Sequence, residues 1–199
     1  ELPQMDQGVT VLHVWPEGAS LRRTPVHPAG RNVHQRTLYV QLNADASANL
    51  SVEETVQGVE AAGYRARYRA EGTRQERVER QLRDLFPGLE LATQRFGDLT
   101  DVEQAVRFNY TGRAPQFALR DGNQLRVMPS TIGSLSRALA RTQTRRHTLD
   151  LGSTTRYSER RVITLPAGAR ATTMPAAGEV RSAYGMARMR VTTAGSTIT

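Results

Sequence analysis

The chain contains no cysteine and, although 27 of its 199 residues are basic, no lysine: every cation is an arginine. Without thiols there is no disulfide framework, thiolate nucleophile or cysteine-ligated metal. Without side-chain amines there is no Walker-type phosphate loop, whose lysine must reach the phosphates, and no Schiff-base chemistry. Aromatic residues make up only 6% of the chain. The basic C-terminal third holds just Tyr157 and Tyr184, too few for the stacking platforms of a single-strand nucleic-acid groove, so a nucleic-acid partner is not expected. No apolar run reaches the length of a bilayer span, and the opening ELPQMDQG has no basic-then-apolar signal segment, so a soluble domain is expected.

What is present is an uneven charge. The formal net charge is +8. Residues 1–130 carry 16 arginines against 16 acids, and residues 131–199 carry 11 against 3, so the excess lies wholly in the C-terminal third. Such a third can steer the chain toward an acidic protein, an anionic polymer or an anionic membrane face. The exclusive use of arginine also fits a GC-rich coding background and is given no functional meaning by itself.

Periodicity predicts a mainly β protein with a helical pair, α+β in class. Val9–Trp15 is apolar at most positions and reads as a strand covered on both sides, ended by the turn Pro16-Glu17-Gly18. Leu21–Asn32 reads as proline-punctuated extended chain. Arg36–Leu42 alternates, with Leu38, Val40 and Leu42 to one side, and pairs through the polar turn Asp45–Asn49 with Leu50–Gly58. A helix is expected over Val59–Arg69. A second is expected to follow a capping box at Thr73-Arg74-Gln75-Glu76, with Val78, Leu82 and Leu85 on one face, Glu76/Arg80 and Glu79/Arg83 paired outside, and Pro87-Gly88 as the stop. On that reading Thr73→Ala costs about 1 kcal/mol. Strands are expected at Leu89–Phe96 and Ala105–Tyr110, and a hairpin at Gln116–Met128 around Asp121-Gly122-Asn123. Residues 129–146 are either a helix or a linker. Five short strands between Thr148 and Thr193 read as a thin sandwich. The expected organisation is therefore a β-rich domain over 1–145, with a helical insertion around 59–86, and a small all-β module over 146–199.

Local constellations that could carry chemistry have plain readings. Asp98, Asp101 and Glu103 lie close together without the EF-hand pattern, between predicted strands, and read as a solvated turn. His13, His27, His34 and His147 show no metal-ligand spacing and read as core or surface histidines. Gly133-Ser134-Leu135-Ser136 lacks the second glycine of a nucleophile elbow. No catalytic, cofactor-binding or metal-ligating residue is assigned.

Several short features follow one another in a definite order. Gly18 precedes Thr24-Pro25, Asn32 precedes a strand, and Gly58 closes the first hairpin. Phe86-Pro87-Gly88 follows the helices, Arg146 precedes Leu149, and Leu165-Pro166 is followed by Met174-Pro175, where a second Leu-Pro would complete the pattern. This order resembles the C-terminal accessory region of exported bacterial transglutaminase-like proteins. The resemblance implies a non-catalytic region of unknown function in the periplasm or outside the cell. It also implies a thiol catalytic core preceding Glu1 as its partner. Two function classes follow: a structural module packed on that core, which is favoured, or a binding module for an anionic envelope polymer or peptide. Arg156, Arg160, Arg181, Arg188 and Arg190 are the candidate interaction surface for either.

Overall fold

In the computed structural model, which describes residues 2–128, 130–131, 144–149 and 151–199, the alternation around Leu38 becomes strand β3 (Val33–Leu42). It pairs antiparallel with β4 (Ala48–Gln57), Leu38 opposite Val52 and Val40 opposite Leu50. Period-two sequence puts every second residue of each strand on one side, and those residues are buried while their neighbours are not. The connecting turn is held by Asp45, whose Oδ1 accepts from the Ser47 amide at 3.0 Å and the Ser47 hydroxyl at 2.6 Å.

This hairpin is the middle of a seven-stranded sheet. On its β4 side come β6 (Val106–Ala114) and then β5 (Glu90–Phe96), both antiparallel. On its β3 side lies β9 (Arg156–Thr164), which runs parallel to β3 from Val33/Arg156 to Gln41/Thr164. The short strands β13 (Thr197–Ile198) and β12 (Thr193–Ala194) complete that edge. Three smaller two-stranded ribbons stand beside the sheet: β1 (Thr10–Trp15) with β2 (Gly18–Arg23), β7 (Ala118–Asp121) with β8 (Gln124–Val127), and β10 (Gly178–Ser182) with β11 (Gly185–Met189). The molecule is thus mainly β with two helices, the class the periodicity predicts.

One face of the large sheet carries the core. Leu38, Val52, Val56 and Val106 have no exposed surface, and fully burying each such side chain stabilises the fold by about 1.5–3 kcal/mol. Helices α1 (Val59–Tyr68) and α2 (Glu71–Leu85) cover this face through Ala61, Tyr68, Val78 and Leu82, all buried. Tyr64 and Tyr68 meet Phe108 at ring distances of 5.9 and 6.0 Å, and Phe96 stacks on Phe108 at 5.2 Å. The β7–β8 ribbon joins the same core through Ala118, Leu125 and Val127.

Asn32 and Gly58 tie the elements together. Asn32 accepts the first helical amide, Val59, on its Oδ1 at 3.2 Å and donates to the Thr154 carbonyl at 2.9 Å, while its own carbonyl accepts from Arg156. Gly58 sits at φ 80°, and a Cβ there would stand 2.3 Å from both the Arg31 carbonyl oxygen and the Asn32 Oδ1. Only glycine combines that backbone with that proximity.

Several expectations are corrected. Val9–Trp15 is not covered on both sides: the β1–β2 ribbon contains no buried residue. Leu21–Arg23 is strand rather than irregular extended chain. The second helix starts before Thr73, after Ala70, and no side chain caps it. The C-terminal strands do not stack as a sandwich: β9, β13 and β12 extend the large sheet, so that sheet spans the boundary expected at 145/146. Ala171–Met174 is irregular. The open question of helix or linker at 129–146 falls mostly outside the described residues.

Candidate functional site

Within the apolar face runs a row of charges. Arg36 lies directly opposite Glu54 of β4 on one side and Glu159 of β9 on the other, so strand register alone brings a cation between two carboxylates. The Arg36 Nε donates to Glu54 Oε1 at 2.8 Å, and its Nη1 lies 3.6 Å from Glu159 Oε2. His34 donates from Nε2 to the other Glu54 oxygen at 3.0 Å, and its Nδ1 lies 3.3 Å from Glu60 of α1. Arg161 donates to Glu159 at 2.8 Å. The result is an alternating chain of six charges, Glu60–His34–Glu54–Arg36–Glu159–Arg161, that links α1 to three strands and sums to zero when His34 is protonated.

Except at its Glu60 end, which is open to solvent, the chain is buried. Arg36, Glu54 and His34 are 5%, 2% and 6% exposed. Thr131 donates both its amide and its hydroxyl to Glu159 and accepts from Arg36, while Arg161 also donates to the Met128 carbonyl at 2.6 Å. Burial alone would lower the His34 pKa, but its hydrogen bonds to Glu54 and Glu60 outweigh that and lift it to about 9. The hydrogen bond from His34 in turn holds Glu60 below the usual carboxylate range. Burial would raise Glu159, yet the bonds from Thr131 and Arg161 hold it below its ordinary value. A protonated imidazole donating from both nitrogens cannot act as a base, and among the described residues no serine or threonine hydroxyl is hydrogen-bonded to it. The arrangement ties α1 to the sheet through His34, Glu54 and Glu60.

Among the described residues no helix or ribbon covers the opposite face of the same sheet. Arg107, Asn109 and Arg113 of β6, Glu53 and Ser51 of β4, Gln35 and Gln41 of β3, and Arg156 and Arg160 of β9 all point into solvent. Near one corner β5 makes a bulge between Leu91 and Thr93. Gly112 permits it, because a Cβ there would lie 2.6 Å from the Glu90 carbonyl oxygen. The bulge leaves a depression of about 330 Å³, whose polar rim is Asn49, Glu90, Thr111 and Arg113.

The five arginines expected to form one surface are divided between two places. Arg156 and Arg160 lie on the bare sheet face. Arg181 and Arg188 belong to the β10–β11 ribbon and share one carboxylate, Glu179, with Arg188 Nε donating at 2.7 Å. Arg190 lies just beyond that ribbon, exposed. The acidic triplet is turn structure: Asp98 accepts from the Thr100 amide and hydroxyl at 2.7 Å each, and Asp101 accepts from the Glu103 amide at 2.9 Å. Among the described residues no group of side chains is arranged to hold a metal ion. His34 is a core histidine, whereas His13 and His147 are on the surface. Gly133-Ser134-Leu135-Ser136 lies outside the described residues.

The residues of the buried chain other than His34 were not singled out by motif, yet one signal for them was present. Arg36 shares its side of β3 with Leu38, Val40 and Leu42, and Glu54 shares its side of β4 with Val52 and Val56. Opposite charges at the inward positions of two neighbouring strands mark a buried pair.

No family model, curated protein or solved structure matches the chain. The likeness to transglutaminase-like accessory regions is carried by the order of its short motifs alone.

Proposed function

We propose that the chain is a non-catalytic interaction module that docks on a neighbouring folded domain through the β1–β2 ribbon. The observation that carries this reading is the ribbon's exposure. Leu12, Val14 and Leu21 are 63%, 68% and 73% exposed, and register puts Leu12 opposite Leu21 and Val14 opposite Ala19 on one face. A lone two-stranded ribbon is marginally stable in water, and an exposed apolar face of this kind marks a contact surface. On its other face Trp15 is covered by His13, 5.2 Å away, and by the Arg22 guanidinium at 5.5 Å, so the two faces are not equivalent. The titratable groups in the core support a non-catalytic role, since they satisfy one another instead of lining a cavity.

The resemblance names the partner: a thiol core encoded before Glu1, in a protein exported from the cell. Among the described residues no helix is long and apolar enough to cross a membrane. The test is to produce that upstream domain separately and titrate it with this chain in a calorimeter. Association is expected with the native chain and not with Leu12→Asp/Leu21→Asp, while the melting of the large sheet stays unchanged. The chain alone should turn over no amide or acyl-transfer substrate. Absence of a folded upstream domain, or association indifferent to both substitutions, would end this reading.

A further inference from the structure

The bare face of the seven-stranded sheet has a composition of its own. Its arginines are Arg95, Arg107, Arg113, Arg156 and Arg160, and its acids are Glu53 and Glu90, with Asp45 at its margin against Arg113, a local excess of two positive charges. Arg113 lies 3.6 Å from Asp45. The guanidinium groups of the other four arginines have no ion pair or hydrogen bond among the described residues, in contrast to Arg181 and Arg188, which Glu179 already holds.

Between the arginines lie amides and hydroxyls in register. One row runs Glu90–Arg113–Asn49–Gln41–Thr164, the next Thr93–Thr111–Ser51–Tyr39–Val162, and the next Arg95–Asn109–Glu53–Thr37–Arg160. At about 4.8 Å between strands, Arg95 and Arg160 stand roughly 19 Å apart across the face. Tyr39, 43% exposed, is its one aromatic. The depression at the β5 bulge opens beside the first two rows.

We infer that this face binds an extended acidic polysaccharide bearing carboxylates. Planar guanidinium groups pair with carboxylates through two parallel hydrogen bonds, which gives spaced arginines a specific use on a chain of spaced acids. The intervening amides and hydroxyls both donate and accept, as sugar hydroxyls require. Charge complementarity alone would also admit nucleic acid or a lipid surface. Bases, however, need several aromatic platforms, and this face has one. A bilayer surface needs apolar side chains to insert, and here those are Val33, Val162 and Tyr39, the two valines half-buried. The strands of this face are paired within the sheet and give it no projecting element to place in a duplex groove.

The inference concerns a surface other than the docking ribbon and does not rest on the docking reading. Its test is electrophoresis of the chain through gels containing sodium polygalacturonate, with dextran and a single-stranded oligonucleotide of matched charge as comparisons and a chelator present throughout. Polygalacturonate should retard the chain, more weakly as salt is added, and dextran should not. Arg107→Ser/Arg156→Ser/Arg160→Ser should lower the affinity by about tenfold or more, whereas removing the same charge at Arg181, Arg188 and Arg190 should change it by less than about twofold. Arg160→Glu alone should act in the same direction, which covers the case of a triple variant that disturbs β9. Leu12→Asp/Leu21→Asp should bind polygalacturonate as the native chain does, so this inference and the docking reading fail separately. No retardation, equal weakening by both triple replacements, or tighter binding of the oligonucleotide would overturn it.

Discussion

Arg36 and Arg160 belong to adjacent strands of one sheet, one register step apart, and have opposite fates. Arg36 faces inward with Glu54 and Glu159 directly across from it, and is 5% exposed. Arg160 faces outward with Thr37 across from it and has no ion pair among the described residues. The difference is one of strand parity, not of residue type. A guanidinium taken out of water must meet a carboxylate, and the two carboxylates need cations in turn, so one inward arginine obliges the whole chain from Glu60 to Arg161. An outward arginine carries no such obligation and stays available to a partner. In a chain whose cations are all arginine, net charge therefore says little about function until the inward ones are set aside.

The largest effect should come from opening the inward row. Arg36→Ala leaves Glu54 and Glu159 buried without their shared cation and should cost about 3–5 kcal/mol in urea unfolding. Arg160→Ala should stay within about 0.5 kcal/mol of the native chain. If the two substitutions cost alike, parity is not what separates these faces. Replacing all of Arg36, Glu54 and Glu159 by apolar residues of similar size should recover most of the loss, since removing a buried ionic group whole is far less harmful than removing half of it.

A smaller effect sharpens the same contrast through pH. The His34 pKa is raised from 6.5 in the unfolded chain to about 9 in the fold. Between those values the native state holds a proton that the unfolded state has released. The stabilisation is therefore complete below about pH 6.5 and is lost as pH rises through 9, with a total of roughly 3 kcal/mol at 1.36 kcal/mol per pKa unit. Glu60 works from the other side: its lowered pKa adds stability that is lost as pH falls below the usual carboxylate range. Urea midpoints measured from pH 6 to 9.5 should fall in the native chain and stay nearly level in His34→Gln. A level profile in the native chain would mean that the imidazole is neutral and the row is not an alternating chain of charges.

Much of this fold was legible in the residues, and the exceptions have physical causes. The β3–β4 hairpin, the Asp121-Gly122-Asn123 turn and the Val78/Leu82 face of α2 follow from period and turn chemistry, which act over a few residues. The place of β9 beside β3 is set by a parallel pairing some 120 residues away, and no local pattern announces that. The exposure of Val11, Leu12 and Val14 reverses the expectation from hydropathy because, among the described residues, no other strand or helix packs closely on that ribbon. Of the five candidate arginines, Arg156 and Arg160 lie where the bare face is, whereas Arg95, Arg107 and Arg113 were missed. They sit in the charge-neutral N-terminal part and reach the same surface only through strand order.

The smallest effect lies on α2, where an inner and an outer side can again be compared. A capping box at Thr73 would make the threonine hydroxyl hold the first free amides of the helix. Instead the helix starts at Glu71 after the extended Ala70, Thr73 is its third residue and exposed, and its amide points to the Ala70 carbonyl at 3.4 Å. The junction is held from the inner side by Arg74. Its Nε donates to the Tyr68 carbonyl at 2.6 Å, and its guanidinium lies 5.2 Å from the centre of the Phe96 ring. Thr73→Ala should therefore change stability by no more than about 0.5 kcal/mol, with a bias toward stabilisation because alanine is the better helix former. Arg74→Ala should cost more, since it strips a charged donor from the carbonyl that ends α1. Thermal melts of the two variants side by side decide the matter: a loss near 1 kcal/mol at Thr73, with Arg74 silent, would put the helix start back at the threonine.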